Sequence, residues 1–301
     1  MSLTGTLLVD KPEGLTSHDV VHRLRRATGI RRVGHTGTLD PFATGLLILC
    51  IGRSTRLARF LSPLPKDYVA TVRFGFATDT YDRTGKIVGE PIDRCPPEDE
   101  IRDALSTFLG VQDQIPPPFS AKRVGGTRSY RLARAGKAVT HEAVRVHVRG
   151  IELLELAPPL ARLFVSASGG TYVRSLAHDL GRRLGMGAHL EALRRTAIGS
   201  FKLDEALPLK DVEELAANRR LQERILAPST ALRDLAAVTV GHDAASSIAL
   251  GQDLPWAGSR LDGSVRVLDP DGELVAVAGL GGCGSSLRPL MVWASEKAHR
   301  V

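Results

Sequence analysis

Gly34-His35-Thr36-Gly37-Thr38-Leu39-Asp40-Pro41-Phe42-Ala43-Thr44-Gly45 holds three glycines, one proline and a single acid, set between a basic stretch and a continuous apolar run. Glycines at 34, 37 and 45 permit backbone geometries and close approaches that a Cβ obstructs, and Pro41 restricts Asp40 to an extended conformation. Such a loop can aim one carboxylate. Taken alone, Asp-Pro between Gly and Thr is also ordinary turn chemistry, in which the aspartate bonds nearby amides. The segments on either side decide between the two.

Before the loop, Thr6 to Asp10 reads as an opening strand and Lys11-Pro12-Glu13-Gly14 as a turn. Thr16 or Ser17 can cap a helix with the apolar stripe Val20, Val21, Leu24 and Ala27, and Gly29 sits where it stops. After the loop, Leu46 to Ile51 is an unbroken apolar run, the pattern of a buried strand. The loop is thus bracketed by core elements, an arrangement in which a rigid scaffold positions a reactive segment.

Further along, Tyr68, Ala70, Val72, Phe74 and Phe76 alternate with polar or smaller residues, giving a strand of period two. Thr78 to Gly85 with Ile87-Val88 suggests a hairpin, and Pro96-Pro97-Glu98 opens a helix facing inward through Ile101, Leu105 and Phe108. A short helix is expected near Ser129 to Arg134, and strands at Val144 to Val148 and Leu163 to Ala167. Gly169-Gly170-Thr171 precedes a helix with Val173, Leu176, Ala177, Leu180 and Leu184 buried and Arg174 in its first turn. One amphipathic helix is expected over 210–226, and Ala227-Pro228-Ser229-Thr230 reads as a boundary. Val265 to Leu268, Leu274 to Ala278 and Leu290 to Trp293 then suggest a small β-rich domain. The element order implies an α/β (α+β) chain with domains at 1–229 and 230–301.

The 301 residues are 43% hydrophobic and 24% charged, with net charge +7, and 32 of the 40 basic residues are arginine. Arginine suits bidentate phosphate contacts and stacking on bases, so a polyanionic partner is expected. The charge is uneven: residues 1–60 carry nine basic residues against four acids, and residues 119–137 carry six with no acid. Discrete nucleic-acid contact patches fit this better than a uniform solubilising coat.

Other chemistries are excluded. Cys50, Cys95 and Cys283 lie too far apart in sequence for a Cys-x-x-Cys pair or a disulfide framework, which fits a reducing cytoplasm. No secretory signal opens the chain, and no run approaches the roughly 18 apolar residues of a membrane span. Residues 279–284 match the spacing of a dinucleotide glycine loop, but Pro289 and the short remaining chain leave no room for its helix. His18 and His22 have helical spacing without a third ligand. No cofactor and no metal are expected. Asp40, Tyr68 and Arg174 form a reactive set if folding unites them: a carboxylate as nucleophile or base, a ring to stack, and a guanidinium to orient the acid. Each also has a plain role, as turn acid, core aromatic or structural ion pair.

Lys11-Pro12 with Gly14, the block 34–47, Lys66-Asp67-Tyr68, residues 114–126 with Tyr130 and Ala133 to Gly136, and residues 169–181 followed by 187–196 together resemble the bacterial TruB family. These are tRNA pseudouridine synthases acting on uridine 55 of the T-loop, and the resemblance covers roughly residues 5–230. It implies a pseudouridine-synthase-like mixed, largely antiparallel sheet with flanking helices, and a C-terminal PUA-like RNA-binding domain. It implies that Asp40 is the catalytic nucleophile, that Arg174 pairs with it, and that Tyr68 stacks on the target base. His35 would enter the T-loop, Tyr172 and Leu193 would line the uridine pocket, and Arg123, Arg128, Arg194 and Arg195 would contact the RNA backbone. Arg123 and Gly169 stand where the family has lysine. Whether Asp40 attacks sugar or base, or removes a ribose proton, stays open, with elimination through a glycal-like species preferred.

The partner implied is the tRNA elbow, and the expected protein is cytoplasmic, free of membrane contact, and monomeric without an obligatory protein partner. Two alternatives stand beside this reading: a non-enzymatic tRNA-binding or folding protein, and a guide-RNA-dependent synthase subunit. The long terminal tails expected of guide-dependent relatives are missing, which favours standalone action.

Overall fold

The computed structural model describes residues 3–119, 123–124, 127–128, 141–258, 262–281 and 284–293. β1 (Gly5–Lys11) leads through a turn into α1 (Ser17–Thr28). Thr16 caps that helix: its hydroxyl accepts from the Asp19 N–H, the Asp19 carboxylate accepts from the Thr16 N–H, and Gly29 stops the helix at φ 72°. β2 (Val33–His35) precedes the Asp40 loop and β3 (Thr44–Ile51) follows it. α2 (Ala58–Leu61) then leads to β4 (Lys66–Phe74) and the hairpin of β5 (Ala77–Thr78) and β6 (Ile87–Val88).

α3 (Glu98–Ser106) and β7 (Gly110–Gln114) follow, then the paired β8 (Arg123–Val124) and β9 (Thr127–Arg128), and the long hairpin of β10 (Val144–Ala157) and β11 (Leu160–Ala167). α4 (Val173–Arg183) precedes β12 (Ala188–Ile198), β13 (Phe201–Lys202), β14 (Leu207–Pro208) and α5 (Leu209–Ala217). After α6 (Pro228–Ala231) come β15 (Ala236–Thr239), α7 (His242–Ala249), β16 (Leu254–Pro255), β17 (Val265–Leu268), β18 (Leu274–Gly281) and β19 (Ser286–Val292).

The main sheet runs β14-β1-β3-β12-β4-β11-β10-β7, with β13 on β12 and β2 on β3. Every pairing in it is antiparallel except β1 with β14 and β3 with β12. The mixed, largely antiparallel sheet is therefore as expected. The strand parity of β3 shows why its sequence is apolar throughout. Leu47, Leu49 and Ile51 face α1 and α5, while Leu46, Ile48 and Cys50 face a second core on the other side. β4 instead buries only Lys66, Tyr68, Ala70, Val72 and Phe74, so its sequence alternates. Fully burying each such aliphatic side chain contributes about 1.5–3 kcal/mol.

The C-terminal residues form a separate five-stranded sheet, β15-β17-β18-β19-β16. Leu274, Val277 and Met291 of this sheet, with Trp293 just after β19, enter the same core as Leu46, Ile48, Ile198 and Phe201, so the two sheets share an apolar seam. Two expectations need correction. The helix expected over 210–226 ends at Ala217, where Arg219 takes φ 57°, and resumes only as a 3-10 turn at Leu221–Arg224. α7 was not expected, because its eight residues are too few for a clear apolar period. The short helix expected near residues 129–134 lies outside the described residues.

Candidate active site

The Asp40 loop is pinned at several points. The Ser17 hydroxyl donates to the Leu39 carbonyl and accepts from the Leu39 N–H at 2.8 Å, so the start of α1 holds the residue before Asp40. The Gly14 N–H donates to the Pro41 carbonyl at 2.8 Å. Lys11, fully buried, donates to the carbonyls of Pro12, Leu15 and Pro41, and burial lowers its pKa to about 8 against the opposing pull of Asp40. Among the three loop glycines, Gly45 alone requires its lack of a Cβ: its φ is 104°, and a Cβ would meet the Arg195 carbonyl. Gly34 has open space around it.

Asp40 meets Arg174 across 134 residues of chain. Arg174 Nε lies 2.9 Å from Asp40 Oδ2, and Nη2 donates to Oδ1 at 3.2 Å, a two-bond fork. The guanidinium is walled in elsewhere. Nη1 donates to the Thr80 carbonyl at 3.0 Å and lies 3.3 Å from Asp82 Oδ2, and Nη2 also donates to the Phe119 carbonyl. Five acceptor atoms thus surround its five N–H bonds. The side chain of Arg174 is 7% exposed, that of Asp40 33%. Burial pushes the Asp40 carboxyl above the usual range, Arg174 opposes that shift, and the nearby Asp82 adds to it.

Asp82 was missed in the sequence. Its side chain is 5% exposed, and its Oδ1 accepts from the Thr80 hydroxyl, the Thr84 N–H and the Thr84 hydroxyl. The signal available was Thr80-Tyr81-Asp82-Arg83-Thr84, an acid flanked by hydroxyls in a hairpin turn, which reads equally well as a self-satisfied turn.

Tyr68 and Leu193 are buried on adjacent strands, in one apolar cluster with Leu39, Phe42 and Val173 beneath the loop. Tyr172 precedes α4, and its backbone N–H and carbonyl both bond the Gln114 side chain. His35 is half-buried on β2; among the described residues its Nδ1 has no hydrogen-bond partner, and burial followed by the Arg195 charge lowers its pKa, so the ring is neutral at neutral pH.

The paired arginines 194 and 195 separate. Arg194 is 44% exposed and bonds Asp10 at 2.7 Å and Thr44. Arg195 is 1% exposed: its Nε donates to the Leu46 carbonyl and its Nη2 to the Gly37 carbonyl. The expected contact of Arg195 with RNA phosphate is therefore corrected, since its guanidinium is spent inside the protein. Arg123 and Arg128 pair through their backbones on β8 and β9, and their side chains lie outside the described residues.

The fold, with this carboxylate beside its sheet, is that of a pseudouridine synthase, an isomerase. The chain aligns with a solved H/ACA ribonucleoprotein bound to a substrate RNA containing 2'-deoxyuridine, at a TM-score of 0.75 and 25% identity, covering 97% of this chain and 86% of that one. A Cbf5-Nop10-Gar1 complex aligns at a TM-score of 0.77 and 26% identity, covering 98% and 86%. Residues 25–173 match the TruB family pseudouridylate synthase N-terminal domain, and residues 174–235 match the tRNA pseudouridylate synthase B C-terminal domain. The tRNA pseudouridine synthase B of Solibacter usitatus is 46% identical over 278 residues, 91% of this chain and 95% of that protein. That of Aquifex aeolicus is 39% identical over 292 residues, 96% and 100%. The chain belongs to the TruB family of pseudouridylate synthases.

Proposed function

We propose that this chain isomerises uridine 55 in the T-loop of tRNA to pseudouridine, with Asp40 as the nucleophile. The observation that carries this reading is the Asp40–Arg174 fork: a buried guanidinium orients a carboxylate that keeps a third of its surface open. The reaction breaks the bond from uracil N1 to the ribose, turns the base and joins C5 to the same sugar carbon. The C5 hydrogen leaves and N1 gains a proton, so atoms balance with no redox change and no cofactor.

The uridine must leave its stack, at a cost of a few kcal/mol, and the pocket must supply replacement contacts. Tyr68, Tyr172 and Leu193 are assigned to that pocket, and the neutral ring of His35 to the space left in the loop. Arg194, Arg123 and Arg128 are assigned to phosphates, where they position the RNA without reading its sequence. Residues 230–301 form the second domain, a PUA-like unit gripping the acceptor arm, and the apolar seam supports a fixed spacing between that grip and Asp40. The enzyme acts as a cytoplasmic monomer without guide RNA. Among the described residues no helix is long and apolar enough to cross a membrane.

The test uses tRNA tritiated at uracil C5. Wild-type protein is expected to release the label, including from a bare T-arm hairpin, while Asp40→Asn releases none. Absence of release by wild type would sink the activity and leave a tRNA-binding or folding protein. Full release by Asp40→Asn would sink the assigned role.

A further inference from the structure

Asp82 sits in a turn whose preceding residue has an unusual backbone. Tyr81 takes φ 65°, one of two positive-φ residues other than glycine among the described residues, in a region that bulky side chains rarely adopt. Its ring lies flat on His178, with centroids 3.8 Å apart and planes 9° from parallel. Among the described residues His178 Nδ1 is buried without a hydrogen-bond partner, and the ring contact with Tyr81 locates the side chain. Burial lowers the pKa of His178, so the stacked ring is neutral at neutral pH.

The helix connects this stack to the site. Arg174 and His178 are four residues apart on α4 and therefore project from one face. Arg174 reaches the turn through the Thr80 carbonyl and Asp82, and His178 reaches it through Tyr81. The sheet holds the same turn independently: the Leu190 N–H donates to the Tyr81 carbonyl, and the Arg83 N–H donates to the Leu190 carbonyl. Those bonds tie the turn to β12, while Arg174 and the ring stack tie it to the helix.

From this geometry we propose that the Tyr81–His178 stack is a positioning pair that sets the distance between α4 and the Asp82 turn, and so holds Arg174 between its two carboxylates for the isomerisation. The inference rests on the proposed activity. Neither ring is assigned any contact with the reacting uridine.

The experiment measures single-turnover rate and RNA affinity for Tyr81→Ala, Tyr81→Phe, His178→Ala and His178→Phe, each checked by thermal melting. A small displacement of a catalytic group lowers rate steeply, so the two alanine variants should lose about tenfold or more in rate. Their RNA affinity should stay near wild type, and the two phenylalanine variants should keep most of the rate because a flat ring remains. In an Asp82→Asn background, Tyr81→Ala should then cost little more, since a pair acting through Asp82 is not additive with its loss. Wild-type rates in both alanine variants would overturn the proposal, as would full multiplicative losses with Asp82→Asn. If Tyr81→Ala does not fold, His178→Ala carries the same comparison. Inactive wild-type protein would instead indict the proposed activity, which separates the two failures.

Discussion

Asp40 and Asp82 share one arginine and differ in almost everything else. Asp40 keeps 33% of its side-chain surface and spends both oxygens on Arg174. Asp82 keeps 5%, and its second oxygen is occupied by Thr80 and Thr84. The same chemical group thus does two jobs, decided by what surrounds it. One carboxylate retains an open face for chemistry, and the other is fully engaged and fixes where the guanidinium lies. A buried cation between two acids is costly unless all its hydrogen bonds are made, and here each N–H faces an acceptor.

The sharpest way to break this contrast is to neutralise each acid in turn. Asp40→Asn should cut turnover by roughly a thousandfold or more, the scale of losing a nucleophile, while melting temperature holds or rises. The sign follows from its raised pKa. A carboxyl whose folded pKa lies above the unfolded value destabilises the fold as pH rises through that window, and Asn removes the penalty. Asp82→Asn should do the reverse in emphasis, costing about 3 kcal/mol of stability in urea unfolding because it breaks a buried pair, with a smaller loss of rate. Equal stability losses in the two variants would erase the distinction.

A second measurement sharpens the contrast through pH. The acid limb of kcat/KM should lie above the range of an ordinary aspartate, and Asp82→Asn should move it downward, since the Asp82 charge is one cause of the upward shift at Asp40. An unmoved limb would mean that the two acids are not electrostatically linked. The smallest effects concern the other pair of neighbours. Arg195→Met should cost about 3 kcal/mol of stability, because it strands the Leu46 and Gly37 carbonyls, whereas Arg194→Ala should cost under about 0.5 kcal/mol. Arg194→Ala should weaken tRNA binding and lower its salt dependence by about one counterion.

Much of the fold was legible locally. The Thr16 cap, the apolar stripe of α1 and Gly29 specify that helix within a dozen residues, and the alternation from Tyr68 to Phe74 specifies a strand with one buried face. The site was legible only in part. Asp40 stood out because the glycines and Pro41 around it are unusual, yet Asp82 lay hidden in a turn that satisfies its own acid. Arg194 and Arg195 were indistinguishable, because adjacent strand residues point to opposite faces and nothing in two identical side chains says which face is inside. β12 compounds this with register shifts between Leu190 and Ala192 and between Arg195 and Ala197, which break the simple alternation.

By itself the sequence determined the local elements, the arginine-rich charge and the loop able to aim one acid, because caps, periodicity and turn residues act over a few positions. The tertiary structure alone decided which cation meets that acid, that a second acid shares it, and which of two adjacent arginines stays exposed. Those outcomes depend on pairings between segments as much as 184 residues apart, where the register of one strand against the next sets the contact.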